Sequence, residues 1–363
     1  MFAINLYDFS GTVNSIHQWL NARLTPGWAM AAEWAIIGIS LILFVAVSVI
    51  ILVYVERKVA AFFQLRIGPN RVGKWGLLQT IADFLKLLMK EHITSKNADK
   101  FLFNLAPFIM VTAVFLGLGA IPFAKGLQVF DINIGLFYIA AASSVGVFGI
   151  LLGGWAGNNK YSLIGALRSG AQVVSYELSI MLSLLTMVVF TGSLQLSQII
   201  ASQQDGWWIF KGHLPAWIAF IIFMIAGTAE TNRGPFDLAE AESELTAGFH
   251  TEYSGIKFAM FFLAEYVSLF IIAAVGATVF FGGWMPFHID DWAAFNRIMD
   301  YIPPIVWFFG KVAMLIGIIM WFKWTFPRLR IDQLLVLEWK YLLPLNLMNL
   351  ILVSFIVLMG WYF

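Results

Sequence analysis

A segment of 23 positions, 230–252, carries six carboxylates and a single cation, Arg233. The carboxylates are Glu230, Asp237, Glu240, Glu242, Glu244 and Glu252. Glu240 and Glu244 are four residues apart, so on a helix they would share a face, where like charges repel each other. Crowded carboxylates that are partly withdrawn from water have raised and mutually coupled pKa values, so protons could move between them near neutral pH. A solvated acidic patch is the alternative, but interleaved residues that favour burial, such as Phe249 and Tyr253, favour proton chemistry.

Three more ionisable residues stand inside long apolar stretches: Glu177, Glu265 and Lys311. A charged side chain at bilayer depth is costly unless it pairs or faces an internal cavity, so each of the three is a functional candidate. Glu177 and Glu265 add to the acidic set, which favours a role in the same proton chemistry. For Lys311, structural pairing and a functional role are equally open.

The sequence has no residues arranged to bind a redox metal or a nucleotide. It contains no cysteine, which excludes disulfides, Cys-ligated zinc and iron–sulfur clusters on this chain. No pair of histidines falls inside an apolar stretch, so a haem of the cytochrome b kind is excluded, and neither a P-loop nor a GxGxxG motif is present. If the chain takes part in redox chemistry, the electrons must come from another subunit.

The elements that must position these residues are membrane-spanning helices. Of the 363 residues, 60% are hydrophobic and 12% are charged, and the mean hydropathy is +0.82. Soluble domains carry about 25% charged residues, so a water-soluble fold and a disordered chain are both excluded. A spanning helix needs about 20 mostly apolar residues, and this length predicts an all-α polytopic membrane protein with a single domain, 1–363. The eight predicted spans are 33–54, 101–123, 134–154, 172–192, 214–229, 257–281, 304–326 and 342–362.

The loops between these spans alternate in basic content. Four loops on one face, 55–100, 155–171, 230–257 and 323–341, contain 17 of the 22 Lys and Arg residues. By the positive-inside rule this face is cytoplasmic, or faces the matrix in an organelle. Both termini are therefore expected outside, in the periplasm of a bacterium. The stretch before residue 32 lacks a basic region and a compact apolar region with a cleavage site, so we do not expect a signal peptide.

Loop 55–100 contains a segment, 77–91, with the pattern of an amphipathic helix that lies in the membrane interface. Its apolar positions recur at helical spacing: Leu77, Ile81, Phe84 and Leu88. Such a helix either anchors the loop or forms a rim over which a lipid-soluble molecule enters the protein.

Three blocks of sequence, 56–91, 230–266 and 327–344, carry distinctive motifs. They include ERK at 56–58, GPN at 68–70, ETNRGPFDL at 230–238, EAESEL at 240–245 and PRLRIDQ at 327–333. Together these blocks closely resemble the H-type membrane component of respiratory complex I, the NADH-quinone oxidoreductase, a family whose mitochondrial counterpart is subunit 1. The resemblance covers residues 33–363 in order and includes the eight spans.

The resemblance implies that the inside loops 55–100 and 230–257 form the region of the quinone chamber and couple quinone reduction to proton translocation. The implied chamber residues are Arg66, Asp83, Lys86, Arg233 and Phe249. The implied carboxylates of the coupling loop are Asp237, Glu240, Glu242, Glu244 and Glu252. The implied buried proton relay is Glu177, Glu230 and Glu265. No metal ligand is implied.

The resemblance also implies a subunit of a multisubunit translocase, without a complete redox site on this chain. Quinone, either ubiquinone or menaquinone, would be the substrate. FMN and iron–sulfur clusters would be carried by partner subunits. The implied partners are the soluble iron–sulfur subunits of the quinone module, small and antiporter-like membrane subunits, and the lipid bilayer, with no nucleic acid. We expect a bacterial plasma (inner) membrane, with the mitochondrial inner membrane as the alternative.

Two other classes of protein are alternatives. Membrane anchor subunits of membrane-bound hydrogenases, formate hydrogenlyases and F420-type dehydrogenases share much of the loop pattern. A free-standing ion or solute transporter could also use acids inside its spans, although no inverted repeat stands out in the sequence. A transporter would purify alone, whereas a complex I subunit should bring iron–sulfur and flavin subunits with it.

Overall fold

The computed structural model describes residues 6–239, 242–288 and 292–360, and of residues 242 and 243 it describes the backbone alone. Within these ranges, eight helices are long and apolar enough to cross a membrane, which confirms the predicted all-α polytopic fold. We number them as spans 1 to 8. They are Pro26–Phe63, Lys100–Gly119, Gly135–Ala156, Lys160–Thr191, His213–Glu230, Gly255–Phe281, Pro304–Thr325 and Ile331–Leu358.

Shorter helices lie before and between the spans. The α-helical segments are Ser10–Arg23, Gln79–Met89, Leu196–Ala201, Trp208–Lys211, Glu242–Leu245 and Ala293–Asp300. Turns of 3₁₀ helix occur at Lys74–Gly76 and Gly248–His250. The described residues form no β-strand beyond one isolated bridge between Ala124 and Leu127.

Span 1 is much longer than the predicted range 33–54. Its 38 residues correspond to about 57 Å of helix, whereas the hydrocarbon core of a bilayer is about 30 Å thick. Glu56 and Arg57 therefore belong to the helix and not to a loop that begins at residue 55. Hydropathy marks only the apolar part of a helix, and the helical hydrogen bonds continue until Leu65 adopts a left-handed backbone with a φ of 53°.

Spans 4 and 8 also begin earlier than predicted. Span 4 begins at Lys160 instead of residue 172, because the Asn159 side chain caps its first turn. Span 8 begins at Ile331 instead of residue 342 and includes a π-helical turn at Leu337–Leu342. The segments predicted as loops before these two spans are therefore largely helical.

The longer helices bring two further buried carboxylates inside spans, in addition to the ionisable residues predicted there. Glu56 in span 1 is 6% exposed, and Glu338 in span 8 is fully buried. The hydropathy prediction missed both because charged and polar neighbours lower the local average, whereas burial depends on contacts with other spans.

Span 6 forms the centre of the helix bundle. In its most apolar stretch 67% of the residues are buried, compared with 11% in span 1 and 22% in span 8. Span 6 packs against spans 1, 2, 5 and 7. Its residues Phe270 and Phe280 contact the rings of Phe44 and Phe223, respectively. Spans 1 and 8 turn most of their apolar surface outward.

The amphipathic helix predicted near 77–91 is present as Gln79–Met89 and packs against spans 1 and 6. Its apolar stripe contributes little to the core, because the side chains remain between 38% and 52% exposed. These side chains are Leu77, Ile81, Phe84 and Leu88. An outward apolar stripe on a charged helix is the surface that an interfacial helix presents to a bilayer.

Lys311 has a structural environment. Its ammonium group donates hydrogen bonds to the carbonyl oxygens of Phe281, Gly283 and Met285 at 2.6, 2.9 and 2.5 Å. It also lies 4.4 Å from the centroid of the Trp207 ring. These carbonyls are at and just beyond the C-terminal end of span 6, where helical carbonyls lack intrahelical donors and favour a positive charge. The geometry favours the structural alternative for Lys311.

Candidate functional site

A buried ion cluster joins the segment after span 5 to three spans. Arg233 is 1% exposed, and its guanidinium lies 2.5 Å from Glu56 of span 1 and 3.2 Å from Glu265 of span 6. Lys323 of span 7 binds the other oxygen of Glu56 at 2.6 Å. Buried charges are tolerated when they are paired, so these four residues fix the segment against spans 1, 6 and 7.

The backbone turns sharply after span 5 to deliver Arg233 to this cluster. Span 5 ends at Glu230, and Asn232 adopts a left-handed backbone with a φ of 50°, which asparagine tolerates better than most residues. The Arg233 Cζ then lies 4.3 Å from the centroid of the Tyr266 ring. Burial opposes the charge of Arg233, but the neighbouring carboxylates raise its pKa above the ordinary arginine value, so the residue remains a cation.

A polar pocket, here named the charged pocket, opens beside the ion cluster. It is lined by Arg66 of the loop after span 1 together with residues of spans 1, 6 and 7: Glu56, Arg57, Glu265, Tyr266 and Lys323. The predicted chamber residue Arg66 therefore lies in the pocket. Arg233, also predicted for the chamber, contacts two of its wall residues, Glu56 and Glu265.

Asp83 and Lys86 connect the interfacial helix to the charged pocket. Asp83 pairs with the wall residue Arg57 and lies 3.5 Å from Lys86. The Gln79 side chain donates a further hydrogen bond to Asp83 at 3.0 Å. Burial alone would raise the pKa of Asp83, but the hydrogen bonds from Arg57 and Gln79 lower it below the ordinary value. Of the predicted chamber residues, Arg66 thus lines the charged pocket, and Arg233 and Asp83 contact residues of its wall. Lys86 contacts Asp83.

A second, mostly apolar cavity lies between spans 2 to 6, and we name it the apolar cavity. Its walls include the three carboxylates of the predicted relay, Glu177, Glu230 and Glu265, which come from spans 4, 5 and 6. Ser144 of span 3 donates a hydrogen bond to Glu177, and Glu177 interacts electrostatically with Glu230. Glu265 lines the charged pocket as well, so this residue is shared by the two sites.

Phe249, the fifth predicted chamber residue, lines the apolar cavity instead of the charged pocket. Its ring meets that of Phe261 in span 6 edge to face, with centroids 5.3 Å apart. The neighbouring His250 lines the same cavity and packs against Phe258. Burial lowers the pKa of His250 to about 4, so its imidazole is neutral at physiological pH.

Three acids of the predicted coupling loop are bound by different parts of the fold. Asp237 pairs with Arg328, which precedes span 8, at 2.6 Å. Glu244 pairs with Arg168 of span 4 at 2.6 Å. Glu252 accepts a hydrogen bond at 2.7 Å from the side-chain amide of Asn159, which caps span 4. Tertiary packing provides each of these three acids with a cation or an amide as a partner.

Two further acids of the coupling loop cannot be placed in this way. Glu240 and the side chain of Glu242 lie outside the described residues, so the face that Glu240 would share with Glu244 stays a prediction. The helix described at this point is the single turn Glu242–Leu245.

The sequence prediction missed Glu56, Lys323 and Tyr266 as site residues. Glu56 and Lys323 stand near the C-terminal ends of spans 1 and 7, where charged residues are usually explained by membrane topology. Their contact joins positions 267 residues apart, which no local pattern records. One signal was available, because the positive-inside rule does not require an acid directly before Arg57 and Lys58.

The fold and the two cavities define an all-α polytopic membrane protein with carboxylates from several spans around an internal cavity. In the part of the chain that the structure describes, no group of His, Asp and Glu residues is arranged to hold a metal ion. Proteins of this class are integral membrane proteins with ionisable side chains between their spans.

Comparison with known proteins identifies the family. The sequence profile of the NADH dehydrogenase family matches residues 27–354. The NADH-quinone oxidoreductase H-subunit of Bacteroides fragilis is 58% identical over 358 residues, which cover 99% of this chain and 100% of that protein. The H-subunit of Bacteroides thetaiotaomicron is 57% identical over the same length and coverage, and that of Brevibacillus brevis is 47% identical over 332 residues, 92% of this chain and 95% of that protein. The chain belongs to the family of NADH-quinone oxidoreductase H-subunits, and it is a membrane component of this multisubunit translocase.

Replacement of Arg233 by methionine should strongly destabilise the subunit. The change leaves the buried Glu56 and the partly buried Glu265 with one fewer cation. Breaking a buried ion pair costs about 3–5 kcal/mol of the free energy of unfolding. We expect the purified complex to lose this subunit at a lower temperature. Arg168→Met removes the more exposed pair with Glu244 and is the matched control, with an expected cost of about 1 kcal/mol or less. Equal thermal stability of the two variants would contradict the prediction.

Acid should destabilise the folded chain through His250. Its pKa falls from the ordinary 6.5 to about 4 on folding, so the unfolded chain binds more protons between these values. Stability therefore decreases as the pH falls through this window and is independent of His250 above it. His250→Gln should remove up to about 3 kcal/mol of this pH dependence, measured as thermal stability against pH. The exposed His92→Gln is the control, and an unchanged pH slope in His250→Gln would contradict the prediction.

Proposed function

We propose that this chain forms the quinone chamber of its complex and couples quinone reduction to proton translocation through buried carboxylates. The observation that carries the proposal is the position of Glu265, which lines both the charged pocket and the apolar cavity. The protonation of a carboxylate at this junction responds to charge in the charged pocket. The same carboxylate exchanges protons with the other carboxylates of the apolar cavity.

The charged pocket suits the headgroup of a quinone. Reduction places negative charge on the two quinone oxygens until protons arrive, and preorganised cations stabilise such developing charge. Arg57, Arg66 and Lys323 supply cations at the pocket wall. The sequence has no cysteine for an iron–sulfur cluster, so the electrons come from partner subunits that carry FMN and iron–sulfur clusters.

The interfacial helix suits the entry of the apolar quinone tail. Its apolar stripe is exposed, and the pair between Asp83 and Arg57 fixes the helix to the wall of the charged pocket. A lipid-soluble molecule that reaches this stripe from the bilayer therefore lies next to the pocket.

Coupling passes through the segment 230–252. Arg233 near its start binds both Glu56 and Glu265, so a change of charge in the pocket alters the balance between these two pairs. The loop then rearranges or changes its protonation, and the change is passed to Glu230, Glu177 and Glu265. Further along the loop, Asp237 and Glu244 are held by ion pairs with Arg328 and Arg168. Ion pairs that are partly exposed to water are weak, so they can exchange partners.

The proposal includes the place of the chain in the assembly. The basic face with the charged pocket points to the cytoplasm, toward the soluble iron–sulfur subunits of the quinone module. Both termini point to the periplasm. Small and antiporter-like membrane subunits contact the outward faces of the spans in the bacterial plasma membrane, and the bacterial origin of the similar relatives supports this location.

The proton arm of the proposal is tested with Glu265→Gln and Glu230→Gln. Both variants keep the shape of the side chain and remove its proton exchange, and Glu230→Gln leaves the ion cluster intact. We expect quinone reduction and proton pumping to fall together by about tenfold or more in the assembled complex in proteoliposomes. Glu91→Gln, at an exposed position, is the control. Pumping at the unaltered rate in Glu230→Gln would refute this arm.

The quinone arm is tested with Arg66→Gln. Loss of this cation should raise the KM for a short-chain quinone by about fivefold to tenfold, equivalent to about 1.0–1.4 kcal/mol of binding. Steady-state kinetics of the assembled complex gives the value. Arg71→Gln removes an exposed cation of the same loop and should leave KM unchanged. If the two variants have the same KM, the charged pocket is not where the headgroup binds.

A further inference from the structure

Span 8 contains a buried carboxylate, Glu338, that the proposed function does not use. The residue is fully buried and stands in the π-helical turn Leu337–Leu342. Such turns are rare, and they are found frequently at functional sites. Across the interface with span 4, the hydroxyl group of Ser179 donates a hydrogen bond to Glu338 Oε1 at 2.5 Å.

The second oxygen of this carboxylate lacks a donor. Glu338 Oε2 is buried and has no hydrogen-bond partner among the described residues, and the same holds for the amide oxygen Oδ1 of Asn346. Both residues contact Ser179, because the Asn346 amide nitrogen donates to the Ser179 carbonyl oxygen at 2.7 Å. Two buried acceptors beside one serine therefore require a donor, since buried polar groups are normally satisfied.

Among the described residues, no cation is paired with Glu338. None of the ion pairs between described residues includes Glu338. Span 4 presents Tyr176, whose hydroxyl group donates to the carbonyl oxygen of Leu334 at 3.0 Å. Span 5 also packs against span 8, but its ionisable residues, His213 and Glu230, stand at its two ends.

The other ionisable groups of span 8 point away from the interface with span 4. They are Asp332, Lys340 and Tyr341, and all three are exposed. An ionised carboxylate without a partner is costly in such surroundings, whereas a neutral carboxylic acid carries no charge and gains an O–H donor.

We propose that Glu338 is a proton-binding site, held as the neutral carboxylic acid with its proton on Oε2. The proton supplies the donor that this interface lacks, and Ser179 positions the acid through Oε1. Glu177 stands on another face of the same helix as Ser179, toward Ser144 of span 3, so the site is separate from the carboxylates of the apolar cavity. The inference goes beyond the proposed function, because proton binding at Glu338 requires no quinone.

Infrared spectroscopy of the purified, intact complex in its resting state tests this site. Near neutral pH we expect a carbonyl stretching band of a protonated carboxylic acid that is lost in Glu338→Gln. In Ser179→Ala the same band should move to higher frequency, because Oε1 loses the hydrogen bond that weakens its C=O bond. Asp332→Asn changes an exposed carboxylate of the same span and should leave the band in place.

The outcomes separate this site from the proposed function. An unchanged carboxylic acid band in Glu338→Gln would overturn the inference, because Glu338 would then be ionised in the unaltered complex. If the complex with Glu338→Gln fails to assemble, the Ser179→Ala variant tests the inference instead. A carboxylic acid band that Ser179→Ala does not move would also overturn the inference. The measurement involves no quinone turnover, so failure of the coupling proposal leaves its result unaffected.

Discussion

The packing of the spans depends on the charge of Arg233, which is buried and must be balanced by carboxylates because water does not reach it. Its guanidinium is 1% exposed and is paired with carboxylates from two spans, while Lys323 shares one of them from a third. An unpaired charge at this depth would cost several kcal/mol, so spans 1, 6 and 7 must come together around the end of span 5 for the chain to fold. The cluster is also sensitive to charge in the adjoining charged pocket. Glu56 and Glu265 line this pocket, so a new charge there would alter their ion pairs with Arg233.

Span 4 separates Glu338 from the carboxylates that line the apolar cavity. One of its faces presents Glu177 to Ser144 of span 3, and another presents Ser179 to Glu338 of span 8. The helices approach closely at small residues: a Cβ atom on Gly154 of span 3 would lie 2.3 Å from the Cβ of Ala166 in span 4. Small residues and short hydroxyl groups are typical of helix contacts in membranes, where they permit close packing and provide hydrogen bonds to polar groups.

The sequence predicted the number and order of the spans, because a chain in lipid must satisfy its backbone hydrogen bonds within each helix and apolar length reveals such helices. The residues at which the helices begin and end were predicted less accurately. Spans 1 and 8 continue through Glu56 and Glu338, since helical geometry persists where hydropathy falls and burial is supplied by other spans. The grouping of Glu177, Glu230 and Glu265 followed from the family resemblance, and the structure adds that one cavity connects them.

The sequence by itself determined a bundle of eight spans, an interfacial helix with an outward apolar stripe, and a chain without cysteine ligands. These properties depend on composition and on periodicity over a few turns, which are local. Only the tertiary structure decided which charges meet: Arg233 with Glu56 and Glu265, Lys311 with the carbonyls that end span 6, and Phe249 with the apolar cavity. Pairing and burial depend on residues that are far apart in the chain, so no window along the sequence contains both partners.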